Sequence, residues 1–195
     1  MNVAVTRAAE GFDRRSFTAQ DVRRMIDNGI MEENERVELV EGELVVIAAK
    51  GYAHDLIKNG LNLALARALP SDMMVGIENS IQFTDNTILE PDLVVFKRSV
   101  RARSDADFAY FERGNLLLAM EVAVSSLSYD RGLKARLYAR YGVPEFWVID
   151  ANERIAWIHR DPKGDAWSSI TERGATDLLT TSTLPSFSVR LADID

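Results

Sequence analysis

Two apolar runs set the terms for any fold this chain can adopt: Glu90-Pro91-Asp92-Leu93-Val94-Val95 and Leu116-Leu117-Leu118-Ala119-Met120-Glu121-Val122. Short continuous apolar runs of this kind read as strands covered on both faces. Each carries a carboxylate where strand alternation alone would not place one: Asp92 at the start of the first, Glu121 near the end of the second. A buried carboxylate is costly unless a cation sits against it. The chain has no cysteine and only two histidines. Hard carboxylate oxygens on adjacent strands then suit magnesium or manganese.

The 195 residues are 47% apolar, enough for one domain over residues 1–195 with a sizeable core. Residues 1–17, polar and rich in arginine, read as a loosely ordered arm and lack the apolar stretch of a secretory signal. No run approaches the apolar length that crosses a bilayer, so no membrane partner is expected. Without cysteine there are no disulfides, and a cytoplasmic setting is the expectation. A net charge of −7 and a pI near 5.0 argue against broad attraction to nucleic acid. An acidic site flanked by local basic patches remains compatible with binding phosphates.

Thr18 with Asp21 three residues on predicts a capped helix over 19–28, closed by Gly29. Arg36–Val40 and Glu43–Ile47 around Glu41-Gly42 predict a hairpin. Ile57, Leu61, Ala64, Leu65 and Ala68 recur at helical spacing over 54–69, with Pro70 beyond. Strands are predicted at 73–83, 91–97 and 115–124. A second helix follows at 130–141, with Ser128 as its N-cap, and then a strand at 145–150. A hairpin pairs 154–159 with 166–170, and a short strand lies near 187–191. A strand–helix–strand crossover implies a parallel pair. The order gives an α/β class, with helix, three strands, helix and strand on a mixed central sheet and added β-hairpins.

This order, together with VELVEGELVVI, GYAHDLIKNGLNLALARAL, EPDLVVF and AMEVAVSSLSYDRGLKARLYARYGVPEFWVID, resembles the PD-(D/E)XK nuclease superfamily. Within it the chain resembles the Uma-type family of restriction endonuclease-like proteins, over nearly its whole length. The resemblance implies a divalent-metal-dependent endonuclease acting on DNA phosphodiester bonds with Mg2+ (or Mn2+). Asp92, Glu121 and the carbonyl of Val122 would ligate the metal.

The sequence departs from the superfamily at one place. Lysine is expected two residues after the glutamate, where this chain has Ala123. Lys134 is the natural substitute as a third catalytic group. It stands four residues after Asp130 and four before Tyr138, so the three share one helix face. The alternative for Lys134 is a solvated surface pair with Asp130. Glu38, Glu78, His54 and Asp130 are candidates to support the site, although Glu78 could equally pair with an arginine and His54 could cap its helix. Lys97, Arg98, Arg101 and Arg103 form the dense basic cluster and suit a DNA-backbone grip beside the site, or else a solvated loop. His159 reads as a surface residue. Tyr138, Tyr141, Phe146 and Trp147 read as core or subunit contact.

Two readings of function stay open. One is an endonuclease that pairs as a homodimer to cut both strands. The other is a catalytically weak nuclease-like scaffold acting as a nucleic-acid-binding or regulatory protein.

Overall fold

In a computed structural model of the protein, the described residues are 15–32, 35–98, 108–111 and 114–195. Most of the expected arm, and Arg101 and Arg103 of the basic cluster, lie outside them. Helix α1 (Ala19–Asp27) opens on a capping box: Thr18 Oγ1 accepts the Asp21 N–H at 3.1 Å and Asp21 Oδ2 accepts the Thr18 N–H at 3.0 Å. Strands β1 (Val37–Val40) and β2 (Glu43–Val46) pair antiparallel. Their turn residues Glu41 and Gly42 take φ of 50° and 87°, the left-handed pair that matches a two-residue hairpin to strand twist. Helix α2 (Tyr52–Ala68) follows and stops two residues before Pro70, because the residue before a proline is pushed out of the helical region.

The chain then forms β3 (Met73–Ile77), β4 (Ile81–Thr84), β5 (Thr87–Leu89), β6 (Leu93–Lys97), β7 (Ala109–Tyr110) and β8 (Leu116–Ala123). A crossover of α3 (Leu127–Tyr129), a π-turn (Asp130–Lys134) and α4 (Ala135–Arg140) leads to β9 (Glu145–Asp150). Strands β10 (Ile155–Lys163), β11 (Ala166–Arg173), β12 (Leu179–Thr180) and β13 (Ser188–Val189) complete the order. The central sheet runs β11-β10-β9-β8-β6-β3, with β8 and β9 parallel and its other pairs antiparallel. A smaller sheet runs β2-β1-β5-β4-β7. The architecture is therefore mixed α/β, as the element order predicts. Among the described residues no helix is long and apolar enough to cross a membrane.

Both faces of the central sheet are covered, which explains the unbroken apolar runs. Leu93, Val95, Leu118, Met120, Val122 and Ile149 meet α2 on one face. Val94, Ala119, Phe146 and Val148 meet α4 and the smaller sheet on the other. By the two-residue strand period, Asp92 belongs to the face of Val94 and Glu121 to the face of Ala119. Leu93 pairs with Met120. One step further along that ladder sets Asp92 across from Glu121, where facing Cβ atoms stand about 5 Å apart.

The structure departs from the sequence expectations at four points. The predicted strand 73–83 breaks at Glu78, whose φ of 52° turns the chain out of the central sheet and into the smaller one. Asn79 then folds over Gly76, where a Cβ would lie 2.1 Å from Asn79 Oδ1, so a larger residue there would have to displace the Asn79 side chain. The predicted helix 130–141 begins earlier, at Leu127, with Ser126 rather than Ser128 at its cap, and it carries the π-turn. The late hairpin is longer than predicted and β10 is an interior strand, so His159 is buried. Its Nδ1 donates to the Phe146 carbonyl at 3.1 Å, and burial holds its pKa below the usual histidine value.

A fifth feature gave no sequence signal. Glu145, at the start of β9, is fully buried. It accepts from Trp147 Nε1 at 2.7 Å, Arg160 Nη2 at 3.0 Å, Thr181 Oγ1 at 3.0 Å and the Ser182 N–H at 2.9 Å. These bonds fasten the segment after β12 onto the central sheet. Burial alone would push the carboxyl up, but the donors led by Arg160 outweigh it and hold its pKa below the usual value. A lowered folded-state pKa stabilises the fold above the ordinary glutamate range and loses that contribution as pH falls through the lowered value. Glu145→Gln is expected to cost about 3 kcal/mol in urea unfolding at neutral pH. The gap to the native protein should narrow as pH falls toward 3, and a pH-independent difference would contradict the assignment.

Candidate functional site

The ends of β6 and β8, the hairpin β1–β2 and the π-turn enclose a pocket of about 260 Å3. Asp92, Glu121, Lys134, Glu38, His54 and Asp130 all line it and are all buried. Each is placed by a different local rule. Asp92 follows Pro91, which ends the extended link from β5, and its Oδ2 accepts the Val122 N–H at 2.7 Å. That bond fixes the β6 carboxylate to the end of β8. Its Oδ1 accepts from His54 Nε2 at 2.9 Å and lies 2.7 Å from Lys50 Nζ. Burial raises the Asp92 pKa, but His54 and Lys50 more than offset it and hold the value at about 2.

Glu121 is bound from the crossover. Lys134 Nζ donates to its Oε1 at 2.8 Å and the Tyr138 hydroxyl donates to the same oxygen at 2.9 Å. Lys134 Nζ also lies 2.9 Å from Glu38 Oε1, so one ammonium joins acids from both sheets. The Lys134 side chain is 4% exposed, which removes the surface-pair reading. Burial would lower its pKa, but Glu121, Glu38 and Asp130 raise it well above the usual lysine value. Glu121 moves the other way from an ordinary paired acid. Its burial, only partly opposed by Lys134 and reinforced by Asp130, Asp92 and Glu38, raises its carboxyl well above the usual range.

The π-turn accounts for the placement of Lys134. Its wider winding sets both Asp130 and Lys134 inward, and such turns occur frequently at functional sites. Asp130 Oδ2 accepts from Ser126 Oγ at 2.6 Å, and burial raises the Asp130 pKa. Glu38 Oε1 accepts the Glu90 N–H at 2.7 Å, and its Oε2 accepts from the Tyr129 hydroxyl at 3.3 Å.

Not every sequence candidate arrives at the pocket in the expected way. Glu78 pairs with lysines rather than an arginine: Lys50 Nζ lies at 2.7 Å and Lys58 Nζ at 2.5 Å. Burial raises its pKa, but these two ammonium groups bring it below the usual range. Lys97 and Arg98 are exposed at the far end of β6 from Asp92, roughly 17 Å along the strand. They are therefore not beside the pocket, as the sequence suggested. Lys50, Tyr129, Glu90 and the Tyr138 hydroxyl were missed as site groups. Lys50 sits in irregular chain between β2 and α2, where no periodicity marks it. Tyr138 was legible only as core, since spacing shows a face and not where a hydroxyl ends.

The donor set suits a hard divalent cation. Five acids line the pocket (Glu38, Glu90, Asp92, Glu121 and Asp130) against two ammonium groups, Lys50 and Lys134. Burial is the main cause of the raised Glu121 carboxyl, and the neighbouring acids Asp130, Asp92 and Glu38 add to it. Lys134 and Tyr138 both address Oε1 of Glu121 and neither touches Oε2. Among the described residues no three histidine or carboxylate side chains are gathered into a metal cage. Magnesium, which keeps several waters, asks for only one or two carboxylates.

A solved structure described as a putative nuclease belonging to DUF820, from Anabaena variabilis ATCC 29413, superposes with a TM-score of 0.71. The two chains are 17% identical over 91% of this chain and 97% of that one, a likeness of fold. No curated protein sequence matches the chain. The family model Uma2, described as "Putative restriction endonuclease", matches residues 19–192, and the chain belongs to that family.

Proposed function

We propose that the protein is a divalent-metal-dependent endonuclease that hydrolyses DNA phosphodiester bonds. It acts as a single domain in the cytoplasm, and as a homodimer where both strands of a duplex are cut. One observation carries the reading: Asp92 and Glu121, remote in sequence, flank the Leu93–Met120 pair of one sheet ladder and line one pocket, where five acids meet two ammonium groups. Mg2+ or Mn2+ would be held by Asp92, Glu121 and the Val122 carbonyl. When bound, such an ion polarises the scissile phosphate and makes an attacking water more acidic.

The chain's own groups account for the rest. In the reaction a water oxygen bonds to phosphorus, the bond to one sugar oxygen breaks, and a phosphate monoester and a hydroxyl are left. Lys134 spends two N–H donors on Glu121 and Glu38. Among the described residues no partner takes the third, which would meet a phosphate oxygen or the incoming water. Tyr138 holds Glu121 in one rotamer, and His54 does the same for Asp92. Lys97 and Arg98 would meet phosphates further along the strand and add salt-dependent affinity. The lysine missing at Ala123 favours the regulatory-scaffold reading, but Lys134 delivers an ammonium to the same glutamate from the crossover.

With Mn2+, the purified protein is expected to nick supercoiled plasmid or single-stranded DNA. Asp92→Asn and Glu121→Gln should each lose at least about 100-fold in rate. Equal background cleavage by native and variant proteins would sink the enzymatic reading. Lys134→Met should slow cleavage comparably and, measured without metal, lower stability by about 3–5 kcal/mol, because three buried carboxylates lose their cation. Mn2+ should restore part of that loss in thermal unfolding. A Lys134→Met protein as stable as the native one would contradict the buried bridge.

A further inference from the structure

Lys50 belongs to a closed ring of ion pairs and hydrogen bonds around one corner of the pocket. Its ammonium stands 2.7 Å from Asp92 Oδ1 and 2.7 Å from Glu78 Oε1. Glu78 continues to Lys58 at 2.5 Å, Lys58 to Asp55 at 3.2 Å, and Asp55 to His54 Nδ1 at 3.2 Å. His54 Nε2 closes the ring on Asp92 Oδ1 at 2.9 Å.

Three of the four lone-pair positions of the Asp92 carboxylate are taken: two on Oδ1 by Lys50 and His54, and one on Oδ2 by the Val122 N–H. A divalent ion on either oxygen would lie within a few ångströms of the Lys50 ammonium, in a pocket that screens charge poorly. One of the two must give way. Of the two ammonium groups at the pocket, Lys50 is the one built to move. It stands on irregular chain with its side chain 13% exposed, whereas Lys134 sits on the helical crossover at 4%. Glu78 already holds the other side of the Lys50 ammonium, so release from Asp92 leaves it paired.

We propose that Lys50 gates the metal site: it is the resident counter-ion of Asp92, and a divalent cation binds only by pushing it across onto Glu78. The inference rests on the metal reading of the pocket. It assigns to Lys50 a positioning role, setting how tightly Asp92 takes the ion.

The test uses the full chain, Mg2+ alone and no DNA. Titration calorimetry should show Lys50→Met and Lys50→Gln binding Mg2+ roughly ten-fold more tightly than the native protein. The second variant keeps a donor for Asp92 and Glu78 and serves if the first does not fold. In the native protein, the side-chain methylene NMR signal of Lys50 next to its ammonium, assigned by its loss in either variant, should shift with the same midpoint as Mg2+ binding. A purely structural lysine would not give that shift. Native binding with no gain in either variant, or a Lys50 signal unmoved at Mg2+ saturation, overturns the gate. If neither native protein nor variants bind Mg2+, the metal reading itself fails and the gate falls with it.

Discussion

The Lys134 ammonium joins Glu38 of the smaller sheet to Glu121 of the central sheet, and it does so from a third element, the π-turn of the crossover. Burying either glutamate without it would leave a carboxylate in a low-dielectric wall with no counter-charge. The hairpin that carries Glu38 is further tied from outside. Arg140 of α4 pairs with Glu41 at the β1–β2 turn and with Asp165 at the β10–β11 turn. The pocket therefore exists only when both sheets and the crossover are docked, and its acids report on that docking.

The charge arrangement has a chemical meaning beyond stability. Asp92 and Glu121 flank the Leu93–Met120 pair of one ladder but are shifted in opposite directions. The donors around Asp92 hold it readily ionised at about 2, whereas burial and three neighbouring acids raise Glu121 well above its usual range. Buried sites whose acids are pushed apart in this way recur where chemistry is done. A divalent ion between them would relieve the surplus that Lys134 and Lys50 only partly neutralise. Five acids against two ammonium groups line the pocket, and the proposed chemistry rests on that arrangement.

Much of this was legible in the chain. The continuous apolar runs around Asp92 and Glu121 gave two doubly covered strands, and the acids within them line the pocket. Lys134 was readable because Asp130, Lys134 and Tyr138 repeat every four residues. That spacing could not foretell the π-turn that sets Asp130 and Lys134 inward. Lys50 was invisible for a physical reason: irregular chain has no period, and its partners Asp92 and Glu78 are brought to it only by the tertiary fold. The break at Glu78 hid behind an apolar pattern that resumes at Ile81 in a different sheet. His159 was misplaced because a hairpin at the end of a chain reads as peripheral, yet β10 lies between β9 and β11.

The proposed chemistry needs two acids to share one ion. The most direct measurement is a crystal soaked in Mn2+ and recorded at the manganese absorption edge. The expected result is an anomalous peak within about 2.2 Å of carboxylate oxygens from both Asp92 and Glu121, with the Lys50 ammonium moved toward Glu78. A saturating soak that leaves no peak between these two side chains, or places the ion on acids elsewhere, would contradict it.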